Sequence, residues 1–316
     1  MASFMESTSC PICNTNSFTP WLHVVDRFEP STLWNIVQAV DSGLLMLHPR
    51  PTEAEMAPYY AHAGYEPFLN SNKKSSLAER TLLFARSLLL HYRAMLIAKA
   101  REHPLCKAHI LEVGCSNGEL LHCLQQKHHI PTAQLLGVEP DAASAEYARK
   151  RFGLQVVDGV EKLPTTLFDT IILWHTLEHI HRVNETLAML RERLTVNGIM
   201  VIALPNPLSY SARHYREAWI AWDAPRHLYH FTPTTLAALL KKHKLHIVKQ
   251  QPYLPDTLFN TLYSEQLQRQ HNNAPSTPLP FANALAQVTT AIKISTKELR
   301  EPNNTSGIMY VVTHDA

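Results

Sequence analysis

The chain has 316 residues, 45% hydrophobic and 18% charged, a composition that suits a folded globular protein and excludes a disordered or fibrous one. Lys and Arg number 29 against 27 Asp and Glu, for a formal charge of +2, and no basic block or basic aromatic face argues for nucleic acid as a partner. No apolar run approaches the ~20 residues that cross a bilayer.

Taken in order, the chain opens without a basic n-region or an apolar h-region over Met1–Cys10, so a cytoplasmic location is the expectation. The five cysteines do not form a disulfide framework, and reduced thiols are expected. Residues 1–75 read as a small N-terminal lobe that starts at the knuckle Cys10-Pro11-Ile12-Cys13. Over 76–104 the apolar positions Leu77, Leu82, Leu83, Ala85, Leu88, Leu89, Tyr92, Met95 and Leu96 recur at helical spacing and predict one long linking helix.

From 105 to 250 short apolar runs alternate with helical patterns, the signature of βα units on a parallel sheet. Strands are expected at His109–Val113, Gln134–Val138, Leu154–Val157, Phe168–Leu173, Ile199–Leu204 and Leu245–Lys249, with a last one at Ile308–Val312. Helices are expected at Glu119–Gln126, Ala142–Arg151, Asn184–Leu194 and Pro233–Lys242, the last capped by Thr232 with Pro233 at its first position. The fold class is therefore α/β, a doubly wound sheet of seven strands. A lid is expected over 206–231, and 251–316 reads as an insertion and the last strand. Within it Gln266–Pro280 reads as a loop before a helix at Phe281–Leu299. The insertion could cover the active site or make a subunit contact, so a homodimer is one option.

The sharpest motif is Leu111-Glu112-Val113-Gly114-Cys115-Ser116-Asn117-Gly118-Glu119, set between a strand and a helix. Gly114 and Gly118 permit a tight turn and close backbone approach of a ligand, and the next helix presents free N–H groups. The G-x-G-x-x-G spacing of a dinucleotide site is absent. The stretch resembles motif I of the class I S-adenosylmethionine-dependent methyltransferases, with Ser116 where a middle Gly is usual. The resemblance implies a Rossmann-like fold and S-adenosylmethionine as cofactor. It further implies that Glu112 anchors the amino group of the methionine part, and that Gly114, Cys115, Ser116, Asn117 and Gly118 cradle that part. Glu139, followed by Pro140, would accept the ribose hydroxyls. Gly159 and the amide of Val160 sit in the loop that resembles the family's adenine contact. Trp174 completes the cofactor set at the end of the fourth Rossmann-type strand.

On the acceptor side, Phe168-Asp169-Thr170-Ile171-Ile172-Leu173-Trp174-His175-Thr176-Leu177-Glu178-His179-Ile180 resembles the family's fourth strand, and Leu194-Thr195-Val196-Asn197-Gly198 its L-x-P-G-G. With Trp222-Asp223-Ala224-Pro225-Arg226-His227-Leu228-Tyr229-His230-Phe231, these stretches are similar to the ubiquinone-biosynthesis-type O-methyltransferases and the sugar C-methyltransferases. Methyl transfer needs an aligned acceptor, excluded water and removal of the acceptor's proton. The resemblance makes His227 the leading base, with His175, Glu178, His179 and Tyr229 as further catalytic candidates, and Arg226 suggests an anionic group on a small-molecule acceptor. His175-Thr176-Leu177-Glu178-His179 also matches the inverted zinc-protease motif H-x-x-E-H, but in the wrong structural setting. No residue is assigned to metal outright. The ubiquinone-type relatives bind a divalent ion at Glu-x-x-Glu-His, so such an ion at His175, Glu178 and His179 and a purely pocket-lining role remain two alternatives.

Cys10-Pro11-Ile12-Cys13 resembles the first knuckle of a four-Cys zinc ribbon, but Ala39 and Ser42 stand where the second Cys pair belongs. Two thiolates make a poor structural zinc site, so a ribbon without tight zinc is expected, with His23 or His48 as extra ligands. Two other functions stay open at this point: an NAD-dependent oxidoreductase and a non-catalytic methyltransferase-like binding module.

Overall fold

The computed structural model describes residues 5–60, 77–271 and 281–315. The chain divides into two compact units, one of Glu66–Thr176, Glu185–Ile202 and Val311–Ala316, the other of Met1–Tyr65, Leu177–Asn184 and Ala203–Tyr310.

The N-terminal strands β1 (Met5–Glu6), β2 (Phe18–Val25), β3 (Leu33–Ala39), β4 (Leu45–Leu47) and β5 (Arg50–Pro51) belong to the second unit. β2 pairs antiparallel with β3 through a bulge between Pro20 and Leu22, and β3 with β4. Then come the strands of the large sheet: β6 (Ile110–Val113), β7 (Leu135–Val138), β8 (Gln155–Val157), β9 (Phe168–Trp174), β10 (Leu194–Pro205), β12 (Leu245–Pro252) and β13 (Gly307–His314), with the short β11 (Tyr229–His230) between β10 and β12.

The seven-stranded order is β12-β13-β10-β9-β6-β7-β8, the Rossmann-like doubly wound sheet that the βα pattern predicts, and all seven expected strands are present. β6 runs parallel to β7 and to β9, and β7 parallel to β8. Every residue of β6 and β7 is buried, which is why these strands read as continuous apolar runs without alternation. The chain winds outward from β6 through β7 to β8 and then returns to the other side of β6 as β9. Such a reversal opens a crevice at the carboxyl ends of the two central strands, where ligands bind in open α/β sheets.

The helices follow the apolar periodicity. The linking helix spans Leu77–Lys99, and Glu119–His128, Ala142–Phe152 and Val183–Glu192 fall where expected. Pro233–Lys242 begins on a capping box in which Thr232 and Thr235 satisfy each other's backbone N–H. No helix among the described residues is long and apolar enough to cross a membrane.

The stretch from Gln266 corrects the sequence reading: the helix Leu254–His271 continues through Gln266–His271, while the rest of the expected loop lies outside the described residues. This helix buries its polar side. Thr257, Thr261 and Ser264 are fully buried and Asn260 nearly so, while Leu258, Phe259 and Tyr263 are about half exposed. Three of these four side chains have polar partners, while the Thr261 hydroxyl has none among the described residues. Thr257 donates to the Glu298 carboxylate at 2.6 Å, Asn260 to Ser306 at 2.7 Å, and Ser264 accepts from the Ile220 amide at 2.9 Å. An inverted pattern of this kind carries no helical signal on a hydrophobicity criterion.

The 206–231 stretch is a packed body of its unit. Tyr215, Trp219 and Trp222 are all buried, and Glu298 accepts from both the amide and the hydroxyl of Ser211, at 3.1 and 2.8 Å.

Candidate functional site

In the first unit the loop after β6 makes three left-handed residues in quick succession, Gly114 at φ +74°, Ser116 at +53° and Gly118 at +78°. A side chain on Gly114 would bring its Cβ to 2.6 Å from Thr176 Oγ1, and one on Gly118 to 2.7 Å from Leu154 Cδ1. Both glycines are therefore required by backbone angle and by close packing at once. Gly114 and Cys115 donate to the Val138 carbonyl at 2.8 and 3.0 Å, extending the β6–β7 pairing into the turn. Cys115 is buried, and burial pushes its thiol well above the ordinary range. Asn117 is buried, and its side-chain oxygen accepts from the Glu119 amide at 3.3 Å.

The register Glu112↔Gly137 and Glu112↔Ile172 brings Gly114, Glu139 and Trp174 out together at the carboxyl edge of three adjacent strands. The two carboxylates there differ sharply. Glu139 clamps the turn, with Oε2 accepting from the Ser116 amide at 2.8 Å and Oε1 from the Asp141 amide at 2.9 Å. Burial raises its pKa against the pull of those amides. Each carboxylate oxygen keeps a further lone pair, so the clamp leaves room for a ligand hydroxyl. Pro140 beside it is exposed.

Glu112 is 4% exposed, and its Oε2 has no hydrogen-bond partner. Burial pushes its carboxyl up to about 8, with the Arg93 guanidinium pulling the other way. That guanidinium also lies over the Trp174 ring, 5.1 Å from its centroid. Arg93 sits on the linking helix, and no local sequence signal marks it. In the β8 loop Asp158 is exposed and paired with Lys162 at 2.6 Å. Gly159 lies against the Glu161 carboxylate, and Val160 opens a single 3-10 turn.

In the second unit the pairing of β11 with β4, Tyr229↔Met46 and His230↔Leu45, makes the 206–231 segment the fourth strand of the N-terminal sheet. The Leu228 amide donates to the Glu178 carbonyl at 2.8 Å. These ties bring together Glu178, His179 and His227, whose ligand atoms all lie within 4.8 Å of one another.

Both rings are oriented by carbonyls. His179 Nδ1 is 2.9 Å from the Arg226 carbonyl oxygen, and His227 Nδ1 is 2.8 Å from that of Ala221. A carbonyl only accepts, so each Nδ1 carries the proton and each Nε2 keeps its lone pair. The Tyr60 hydroxyl shares the His179 contact at 3.0 Å. The rings meet edge to face at 4.6 Å. Burial, with His227 adding to it, brings His179 down to about 4. His230, which sequence reasoning passed over, stands edge-on to Trp222 at 4.9 Å with a buried Nε2 that lacks a partner, and burial brings it down to about 3.

Several expectations are corrected. His175 is not part of the cluster: it takes φ +51° directly after β9, which breaks the continuous helix that H-x-x-E-H spacing presumes, and Glu178 and His179 sit on a separate 3-10 turn, Leu177–His179. Tyr229 is a structural tether, its buried hydroxyl accepting from Arg50 at 2.8 Å and donating to the His181 carbonyl at 3.4 Å. Arg226 is fully buried and held by Asp26 at 2.9 Å and Asp223 at 2.8 Å, with Phe28 beneath it at 4.8 Å. Its charge is matched inside the protein, so it gives no reason to expect an anionic acceptor.

At the N-terminal knuckle the Ser42 Oγ lies 3.2 Å from the buried Cys10 Sγ. Neither histidine joins it, since His23 is bonded to Asn35 at 2.7 Å and His48 lies against Phe18 at 4.7 Å.

Comparison with known proteins places these features in a family. A family model described as a methyltransferase domain matches residues 79–250. The bifunctional methionine biosynthesis protein MetXA/MetW of Rhodopirellula baltica is 30% identical over 121 residues, 35% of this chain and 18% of that protein, so the match spans under a fifth of that relative's length. Among solved structures, the O-methyltransferase of a trans-AT PKS multienzyme of Brevibacillus brevis, in complex with S-adenosyl-L-homocysteine, has a TM-score of 0.50 at 16% identity. The match covers 75% of this chain and 77% of that one. A methyltransferase of Thermotoga maritima described as a possible histamine N-methyltransferase gives 0.39 at 23% identity, over 55% and 80%.

Proposed function

The chain belongs to the methyltransferase-domain family, and from that premise we propose that it transfers a methyl group from S-adenosylmethionine to an oxygen or carbon of a small-molecule acceptor. The observation that carries this reading is the buried Glu112 carboxylate, with an unpartnered Oε2, beside a turn that a Cβ at Gly114 would fill. A buried acceptor without a donor is costly, and the ammonium group of a methionine-type ligand supplies donors and a positive charge together. A dinucleotide brings no cation to this carboxyl, and the glycine spacing of a dinucleotide turn is absent.

Bound there, the cofactor supplies an electrophilic sulfonium methyl. Gly114 and Gly118 let the backbone approach it, Glu139 offers its remaining lone pairs to vicinal hydroxyls, and the Val160 amide serves the adenine. On the acceptor side, Glu178, His179 and His227 converge and orient the acceptor's hydroxyl or acidic C–H for loss of its proton.

Calorimetric titration with S-adenosylmethionine and, separately, with NAD tests the reading. Binding of the first, weakened in Glu112→Gln by about 1.5–3 kcal/mol, the worth of a hydrogen bond to a charged group, is the expected result. Binding of NAD with no response to S-adenosylmethionine would overturn it.

A further inference from the structure

We propose that Glu178, His179 and His227 form a three-ligand site for a divalent transition-metal ion of the zinc type, with His227 as the ligand that completes it. Convergence is the first argument: one carboxylate and two imidazoles offer ligand atoms within 4.8 Å of one another, in a region where Glu178 is 1% and His227 8% exposed. The second is the proton inventory. The Arg226 and Ala221 carbonyls fix Nδ1–H on both rings, so the nitrogen that each ring has left is an acceptor. A metal-binding imidazole requires this state, and a carbonyl on the far nitrogen is its usual outer partner.

The donor set also selects the ion. Two imidazoles and one carboxylate suit zinc and its neighbours, whereas calcium and magnesium favour oxygen ligands. Metal–nitrogen bonds of about 2.0–2.1 Å in a tetrahedral site put ligand atoms ~3.4 Å apart, so the three groups draw inward from their outer limit of 4.8 Å. Three protein ligands leave a fourth position open, as in sites that act on a bound substrate. On the methyl-transfer reading above, that position takes the acceptor oxygen and lowers its pKa. Binding of the ion itself does not rest on that reading.

The test uses the full chain, freed of metal by a chelator and titrated with Co²⁺ as a spectroscopic substitute for Zn²⁺. One equivalent should bind with visible ligand-field absorption, and Zn²⁺ should displace it. His227→Ala and Glu178→Gln should each weaken binding by more than ~10²-fold, beyond the roughly 10–100-fold seen for loss of an outer partner, while His175→Ala binds as the parent does. Circular dichroism and S-adenosylmethionine calorimetry on the same samples report folding and the cofactor site independently, and His227→Gln replaces His227→Ala should the latter fail to fold. No saturable Co²⁺ binding by the parent, or undiminished binding by the folded His227 variant, would overturn the site. Failure of cofactor binding with Co²⁺ binding intact would instead count against the methyl-transfer reading.

Discussion

The Ser116 amide donates to Glu139 Oε2 at 2.8 Å, across the gap between the turns that follow β6 and β7. One carboxylate thus holds a left-handed residue, Ser116 at φ +53°, in place while retaining lone pairs for a ligand. Glu139→Ala is expected to weaken S-adenosylmethionine binding by about 1.5–3 kcal/mol and to lower the melting temperature of the cofactor-free protein as well. Calorimetry and thermal denaturation on one sample check both; a change in affinity without any change in melting would assign Glu139 to ligand contact alone.

Glu112 makes cofactor binding pH-dependent. Its folded carboxyl titrates near 8, against ~4.3 for an unperturbed Glu, so at neutral pH it is mostly protonated in the empty protein. An ammonium ligand favours the ionised form and drives the proton off. Calorimetry at pH 7 in buffers of different ionisation enthalpy should show release approaching one proton per cofactor, fading above pH 8, and none in Glu112→Gln.

The same shift has a stability consequence. A carboxyl raised in the folded state contributes stability that is fully present below its unfolded pKa and is lost as pH rises through about 8. The empty protein should therefore become less stable between acid and mildly alkaline pH, and Glu112→Gln should lose that part of the slope. Urea denaturation of both proteins at a series of pH values measures the difference; parallel curves would show that Glu112 is ionised throughout.

Arg226 should matter for folding more than for acceptor binding. Burial works to raise the Asp223 carboxyl, yet Arg27 and Arg226 hold it well below the usual carboxylate range. Removing Arg226 leaves buried carboxylates uncompensated, so Arg226→Ala should cost about 3–5 kcal/mol in chemical denaturation, the usual loss on breaking a buried ion pair. A variant of parental stability but with a raised KM for an anionic acceptor would return Arg226 to the binding site.

His227→Ala should leave S-adenosylmethionine binding intact and reduce turnover by ~10²–10⁴, the range for a positioned acid or base. Single-turnover kinetics with saturating acceptor provides the measurement. Unchanged turnover at saturating and at dilute acceptor would remove His227 from the chemistry.

Sequence alone determined what local physics determines. The Gly114–Gly118 turn was legible because glycine suits those angles and that packing, the central strands because buried parallel strands such as β6 and β7 are largely apolar, and the Pro233 helix because its cap lies within four residues of chain. Tertiary structure decided what depends on distant residues. The resemblance grouped His175 with Glu178 and His179, but the backbone turns left-handed at His175, and His227 joins Glu178 and His179 instead. Whether Arg226 faced a ligand or a carboxylate could not be read without Asp26, brought to it from the other end of the chain. The buried polar stripe of Leu254–His271 hid a helix, because its polar partners are Glu298, Ser306 and Ile220 on other elements. Hydrogen-bond partners and ion pairs act through space over a few ångströms, and a linear pattern records only neighbours along the chain.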